Sequence, residues 1–315
     1  MSPSSRRQFL HTAGLAGVST LLGLPTRASW AAPGAGAESL RLVFFTDVHA
    51  HADWRAPQAV AAAAKAINAE DPELVIGGGD LIYDGFEVAA ATAEPQWDVY
   101  MSMHEAIGAP VEPIIGNHDL VAVKPDDGSK PSSDPRAVFR GKFGLDRTWR
   151  SFDAGGYRFF LLDSVEVSND ELNYHGGISP EQLAWLRTEV GRTDTDTPIV
   201  VATHIPFLSA IPQATKGAIV PLEANHLVVN NLEVLELFAE HNLLLVLQGH
   251  LHAEEMLRWQ GTTFITSGAV CGNKWEGPKY GTPEGFGVVT LRPDRVDWEY
   301  KSYGWNAMVE DDHRE

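Results

Sequence analysis

Five short stretches of the chain carry side chains that bind metal ions: Asp47-Val48-His49, Gly79-Asp80, Gly116-Asn117-His118-Asp119, His204, and Gly249-His250-Leu251-His252. Mixed imidazole and carboxylate donors suit Mn, Fe, Zn, Co or Ni better than Mg or Ca, which prefer all-oxygen surroundings. Taken singly, each stretch has an ordinary reading. Gly, Asn and Asp favour turns, so Gly116-Asn117-His118-Asp119 could be a plain turn. His250 and His252, two apart, share one side of an extended segment and would suit a solvated edge. Their joint occurrence points elsewhere: together they supply enough N and O donors for two metal ions. Cys271, the only cysteine, reads as a packed thiol and not as a nucleophile.

Each stretch follows a short apolar run, at 42–45, 74–76, 111–115, 199–201 and 243–247, that reads as a buried strand. In an open α/β sheet, the strand ends on one edge form the rim where ligands bind. Distant parts of the chain are thereby delivered to one crevice. Between the runs lie helices. Residues 56–69 are Ala-rich and helical by propensity. Ser179-Pro180-Glu181-Gln182 starts a second helix with an N-cap serine and a first-turn proline, and Leu183, Leu186 and Val190 form its apolar stripe. A third is expected over 232–238. After His252 the pattern turns to strands, at 255–259, 262–266, 287–291 and 296–300. Three irregular stretches, 124–135, 206–226 and 268–285, are expected at the mouth of the crevice. In the last, Asn273 and Trp275 either touch a ligand or pack in a surface loop.

Blocks of these forms in this order, from Asp47 to His252, resemble those of the calcineurin-like metallophosphoesterase superfamily. The resemblance implies an α/β fold, a four-layer αββα sandwich of two mixed β-sheets flanked by helices. It also implies two metal ions, drawn from Fe, Mn, Zn or Co. Asp47, His49 and His252 would hold the first, Asn117, His204 and His250 the second, and Asp80 would bridge them. His118 would act near the leaving group or the phosphoryl oxygens, with Asp119 orienting it. Two ions about 3.5–4 Å apart can clamp a phosphoryl group, and water bound to them can ionise near pH ~7. A hydroxide held between the metals would then attack phosphorus in line with the leaving alcohol.

Two departures narrow the resemblance. Phosphoprotein phosphatases of the superfamily carry Asp-Arg-Gly shortly after the bridging Asp; here the stretch ends Tyr83-Asp84-Gly85, without arginine. Purple acid phosphatases carry Gly-Asp-x-x-Tyr, which Tyr83 matches, but they usually lack the histidine supplied here by His49. Tyr83 is thus either a phenolate ligand or a packing aromatic. The Asp-x-His and Gly-Asn-His-Asp forms, with Thr203-His204-Ile205-Pro206, are closer to the cyclic-nucleotide and glycerophosphodiester phosphodiesterase branch. The implied substrate is a small phosphate ester, a diester before a monoester. A purple-acid-phosphatase-like monoesterase and a metal-retaining binding protein without turnover are the alternatives.

Ser5-Arg6-Arg7-Gln8-Phe9-Leu10 resembles a twin-arginine export motif, followed by an apolar run over 13–24. That run is shorter than the roughly 20 residues of a membrane span. Ala35-Gly36-Ala37 offers a cleavage site before Glu38. The expected organisation is a signal peptide over 1–37 and a metallophosphoesterase domain over 38–315, exported by the twin-arginine machinery to the periplasm or beyond. Removing 37 of the 315 residues leaves 278, near the upper size for one core. It also removes three arginines and no acids, so the formal charge of −18 becomes −21. Such a surface repels nucleic acid backbones, so polymeric DNA or RNA is not an expected partner. With one cysteine no internal disulfide can form. The acidic tail, 310–315, is expected to be solvated.

Overall fold

The computed structural model describes residues 39–169 and 173–306. The twin-arginine motif, its apolar run, the small-residue site before Glu38 and the acidic tail lie outside the described residues. All described residues fall within one compact unit, Ala32–Glu315.

Strand β1 (Leu40–Phe45) shows how the layers arise. Apart from half-buried Arg41 it is buried on both faces, the mark of a strand covered on two sides. It pairs in parallel with β2 (Leu74–Gly77), and β2 with β3 (Val111–Pro113). Later in the chain come β4 (Arg150–Ala154), β5 (Tyr157–Leu162), β6 (Val165–Val167), β7 (Tyr174–Gly176), β8 (Ile199–Thr203), β9 (Leu243–Gln248), β10 (Glu255–Trp259), β11 (Thr262–Thr266), β12 (Gly285–Arg292) and β13 (Arg295–Ser302). The first sheet has the order β13-β12-β1-β2-β3 and the second β10-β11-β9-β8-β5-β4, with β6 and β7 forming a separate ribbon. Both large sheets are mixed: the first is antiparallel over β13-β12-β1 and parallel over β1-β2-β3, and the second is parallel in the middle and antiparallel at both edges.

Period-two alternation divides the core into layers. Leu42, Phe44 and Ile76 of the first sheet pack with Phe159, Leu161, Val200 and Leu245 of the second. The opposite faces belong to a second cluster. There Val43 and Phe45 join α1 (Ala56–Ala69) and α2 (Ala90–Ala106), while Phe160 and Val201 join α4 (Pro180–Val190). The result is the four-layer αββα sandwich. Burying one such Leu or Phe side chain contributes about 1.5–3 kcal/mol.

The expected strands are all present, although β3 stops at Pro113 and not at residue 115. The expected helix at 232–238 is α6 (Asn231–Glu236). The stretch 206–226 is not wholly irregular, because it contains α5 (Ile211–Lys216). Helices α2 and α3 (Ala137–Phe143) and strands β4 to β7 are additions to the sequence reading. In α2 the periodic signal is broken by an internal Pro95 and a buried Gln96. That glutamine accepts from Asp84 N–H at 2.8 Å and donates to Asp84 O at 3.1 Å, fixing the turn after Asp80.

Candidate metal centre

The five ligand stretches leave the C-terminal ends of β1, β2, β3, β8 and β9, so both sheets empty onto one edge. Backbone bonds tie the loops together. Asp47 N–H donates to Gly79 O and His49 N–H to Asp80 O, both at 2.9 Å, while Gly249 N–H reaches His204 O at 3.0 Å. The approach is close enough to exclude side chains. A Cβ on Gly116 would stand 2.2 Å from Asp80 N, and one on Gly249 would stand 2.2 Å from Thr46 Oγ1. Asp47, His49, Asp80, His250 and His252 all adopt left-handed φ, between 44° and 71°. Non-glycine residues in that region cost on the order of 1–3 kcal/mol each where strained, and such strain gathers at functional sites.

The histidines are aimed by carbonyls. Nδ1 of His49 faces Tyr83 O at 3.3 Å, Nδ1 of His204 faces Gly78 O at 2.9 Å, and Nδ1 of His252 faces Gly272 O at 2.6 Å. A carbonyl only accepts, so each Nδ1 carries a proton and each ring turns its Nε2 inward. There the Nε2 atoms meet one another and the carboxylates. His49 Nε2 and His252 Nε2 are 3.2 Å apart, and His252 Nε2 is 3.2 Å from Asp47 Oδ1. Asp47 Oδ1, Asn117 Oδ1 and His204 Nε2 are buried without a hydrogen-bond partner. Acceptors converging on acceptors fit a cation, and the N and O donor set fits a transition metal.

Asp80 joins the two halves. Its Oδ1 accepts the His118 backbone N–H at 2.8 Å, which leaves Oδ2 at 3.6 Å from His49 Nε2 and 3.1 Å from His204 Nε2. Asp80, His204 and His250 hold donor atoms within 4.8 Å of one another, as do His49, Asp80 and His118. Asp47 is positioned through Oδ2, which accepts from Thr46 Oγ1 at 2.7 Å and His250 N–H at 2.9 Å.

Protonation follows from the same contacts. Burial, and then the His118 charge, hold His49 well below its ordinary range. Burial, and then His204, push His250 down to about 3. Burial disfavours charge on His204 too, but Asp80 beside it lifts that group to about 9. His252 is likewise raised against its burial by Asp47. Protons thus occupy the positions that a cation would take.

His118 lines the cleft and stands edge-on to His49, ring centroids 4.7 Å apart. The structure corrects the expected part of Asp119. That carboxylate is fully buried and accepts three backbone N–H groups, from Leu81 at 2.8 Å, Ile82 at 3.2 Å and Gly116 at 2.8 Å. It knits the Asp80 and Asn117 loops and makes no hydrogen bond to His118. The carboxylate facing His118 is Asp84, with Oδ1 3.8 Å from Nδ1. Tyr83 packs edge-on against Trp54 and His51, and its ring centroid is 6.2 Å from that of His49. Cys271 lies behind His252, its sulfur 3.8 Å from Nδ1, away from the inward nitrogen.

A cleft of about 330 Å³ opens over Asp80, Asn117, His118, His250 and His252. Asn273 lines it. Trp275 does not: it is buried, and its indole N–H donates to His49 O at 2.8 Å, bracing the ligand loop from behind. Sequence reasoning also passed over Tyr174 and Asn225 on the wall, and Thr46 and Asp84. Adjacency to Asp47 and Tyr83 is the only sequence signal for the last two.

The family model for calcineurin-like phosphoesterases matches residues 40–254. The chain belongs to that family. Solved structures share its fold. A dimetal phosphatase from Danio rerio superposes with a TM-score of 0.63 at 17% identity, covering 84% of this chain and 96% of its own. The purple acid phosphatase PPD1 from yellow lupin seeds gives 0.54 at 16% identity, covering 85% of this chain and 52% of its own. GAP50, described as the anchor in the inner membrane complex of Plasmodium, gives 0.54 at 14% identity, covering 85% and 86%. No curated protein matches the chain in sequence. This calcineurin-like fold therefore serves phosphatases and an anchor alike, and function must be argued from the site.

Proposed function

We propose that the chain is a hydrolase of small phosphate esters, diesters before monoesters, working with two metal ions from Fe, Mn, Zn or Co. The observation that carries this reading is Asp80: one buried carboxylate oxygen faces imidazole nitrogens from both halves of the site. Asp47, His49 and His252 would hold one ion, Asn117, His204 and His250 the other, with Asp80 shared. When bound, such ions supply Lewis acidity and a nucleophile at neutral pH. The protein's own work is to hold the donors rigid, admit an ester through the cleft and manage the leaving group's proton at His118. Burial lowers His118 from its ordinary value against the pull of Asp80, with Lys274 lowering it further. An imidazole at the edge of the reacting centre can move a proton to or from the leaving oxygen.

The diester preference rests on the branch resemblance. Metal-replete protein should hydrolyse bis(4-nitrophenyl) phosphate with higher kcat/KM than 4-nitrophenyl phosphate. The reverse order would favour the purple-acid-phosphatase-like alternative, and absence of turnover on both would favour the binding protein.

Export is a second part of the reading. Arg6-Arg7 and the apolar run after them support a twin-arginine signal over 1–37 ahead of a domain over 38–315. Among the described residues no helix is long and apolar enough to cross a membrane. Replacing both arginines with lysine should retain the protein, unprocessed, in the cytoplasm. Continued export would sink this part alone.

A further inference from the structure

Outside the metal centre, the charge on the cleft wall runs against the charge of the molecule. The chain has 42 acidic and 24 basic residues, of which eight are lysines. Three of those eight, Lys216, Lys274 and Lys279, line the cleft over the metal centre, where Asp80 is the sole carboxylate among the described residues. They come from two separate segments: Lys216 ends α5, and the other two lie between β11 and β12.

Among the described residues none of the three is ion-paired, whereas Lys142 meets Glu94 at 2.6 Å and Lys301 meets Glu70 at 2.8 Å. Lys279 is positioned by a 2.9 Å hydrogen bond to the neutral Asn273 amide, and Lys274 stands 6.0 Å from the Tyr83 ring centroid. Glu223 lies 3.9 Å from His226 and Glu276 accepts Asn273 Nδ2–H at 3.2 Å, and neither lines the cleft. Two divalent ions beside Asp47, Asp80 and one hydroxide would leave a single positive charge, which one phosphodiester anion balances. The lysines are surplus to a single phosphoryl group.

We propose that Lys216, Lys274 and Lys279 form a second anion subsite, so that the preferred substrate is a phosphate ester whose alcohol carries a further phosphate or carboxylate group. This rests on the hydrolase reading above and adds the substrate class. The cleft, at about 330 Å³, lies at the small end of the roughly 300–1,000 Å³ usual for ligand pockets, so both anions belong to one small molecule. Binding energy from a remote group can be spent at the reacting centre, which makes such a subsite a specificity device.

The test compares 4-nitrophenyl diesters whose second alcohol is propyl, 3-carboxypropyl or 3-phosphonopropyl. The leaving group, and hence the chemistry, is constant. The same three tails are also presented as alkyl monoesters, with phosphate release as the readout. One exposed charge pair is worth a few-fold at most, and three lysines acting on one anion in the same cleft should together give ~10-fold or more. Wild-type protein should therefore prefer a charged tail over propyl by that factor in kcat/KM, and the better of the two charged tails identifies the anion. Replacing all three lysines with glutamine should bring the ratio near one, each single replacement should lower it partway, and Lys142→Gln should leave it intact. Hydrolysis of all tails with equal efficiency, or a preference that survives the triple replacement, would overturn the subsite and leave the hydrolase reading standing. Failure to hydrolyse any ester of either series would remove both.

Discussion

The backbone N–H of His118 is committed to Asp80 Oδ1, while its imidazole lines the cleft beside His49. A change of ring should therefore spare the metals and strike the chemistry. General acid–base groups contribute about 10²–10⁴-fold, so His118→Ala should lose rate on that scale with both ions retained by elemental analysis. The loss should be larger for an alkoxide leaving group than for nitrophenolate; equal losses would argue for a role at the phosphoryl oxygens. A second expectation concerns protons. In chelator-stripped protein Asp80 lifts His204 to about 9, and Asp47 raises His252 from its ordinary range. A metal needs neutral rings, so loading should release protons, visible as a calorimetric enthalpy that varies with buffer, and affinity should rise with pH. Without metal the sign is opposite. A folded-state value above the ordinary 6.5 makes His204 stabilising below about 6.5, and that stability is lost as pH rises through about 9. The donors were legible in the sequence because their types and order are chemical. The work of Asp119 was not, because its three partners are backbone N–H groups brought together only by folding.

At the scale of elements, parallel strands ending on one edge do the positioning, and glycines let their loops touch. Gly116→Ala would drive a Cβ into Asp80, whose backbone nitrogen would lie at 2.2 Å. Overpacking of that kind costs about 1–3 kcal/mol, so denaturant unfolding should register the loss together with weakened metal binding. Ser179→Ala is the contrasting case. Its hydroxyl caps α4 by accepting Gln182 N–H at 3.2 Å, and it does not line the cleft. Its removal should cost about 1 kcal/mol of stability and leave kcat untouched. Strands with continuous apolar runs and helices with clear caps were readable from composition. Helix α2 was not, since its internal proline and buried Gln96 serve the Asp84 turn and break the periodic signal.

At the scale of the whole molecule, two sheets fold independently distant segments into one edge, and the acceptors gathered there repel one another until a cation intervenes. Stability and metal binding must then be linked. Each ion at a hundred times its dissociation constant should add about 2.7 kcal/mol, so Tm should climb on Mn²⁺ addition and fall with chelator. Asp80→Asn should blunt the climb, because it weakens the carboxylate that both halves share. Layer order was implied by the family resemblance and matches the structure. The basic rim of the cleft was not legible, since Lys216 and Lys279 stand 63 positions apart and meet only across the finished fold.

The most direct measurement is a metal titration of chelator-stripped protein, followed by hydrolysis of bis(4-nitrophenyl) phosphate and repeated with Mn, Fe, Zn and Co. Activity should rise with occupancy and level off at two equivalents per chain for at least one metal, and Asp80→Asn should stay silent throughout. Full activity at one equivalent, full activity in Asp80→Asn, or no hydrolysis by the wild type with any of the four metals would contradict a shared two-metal centre.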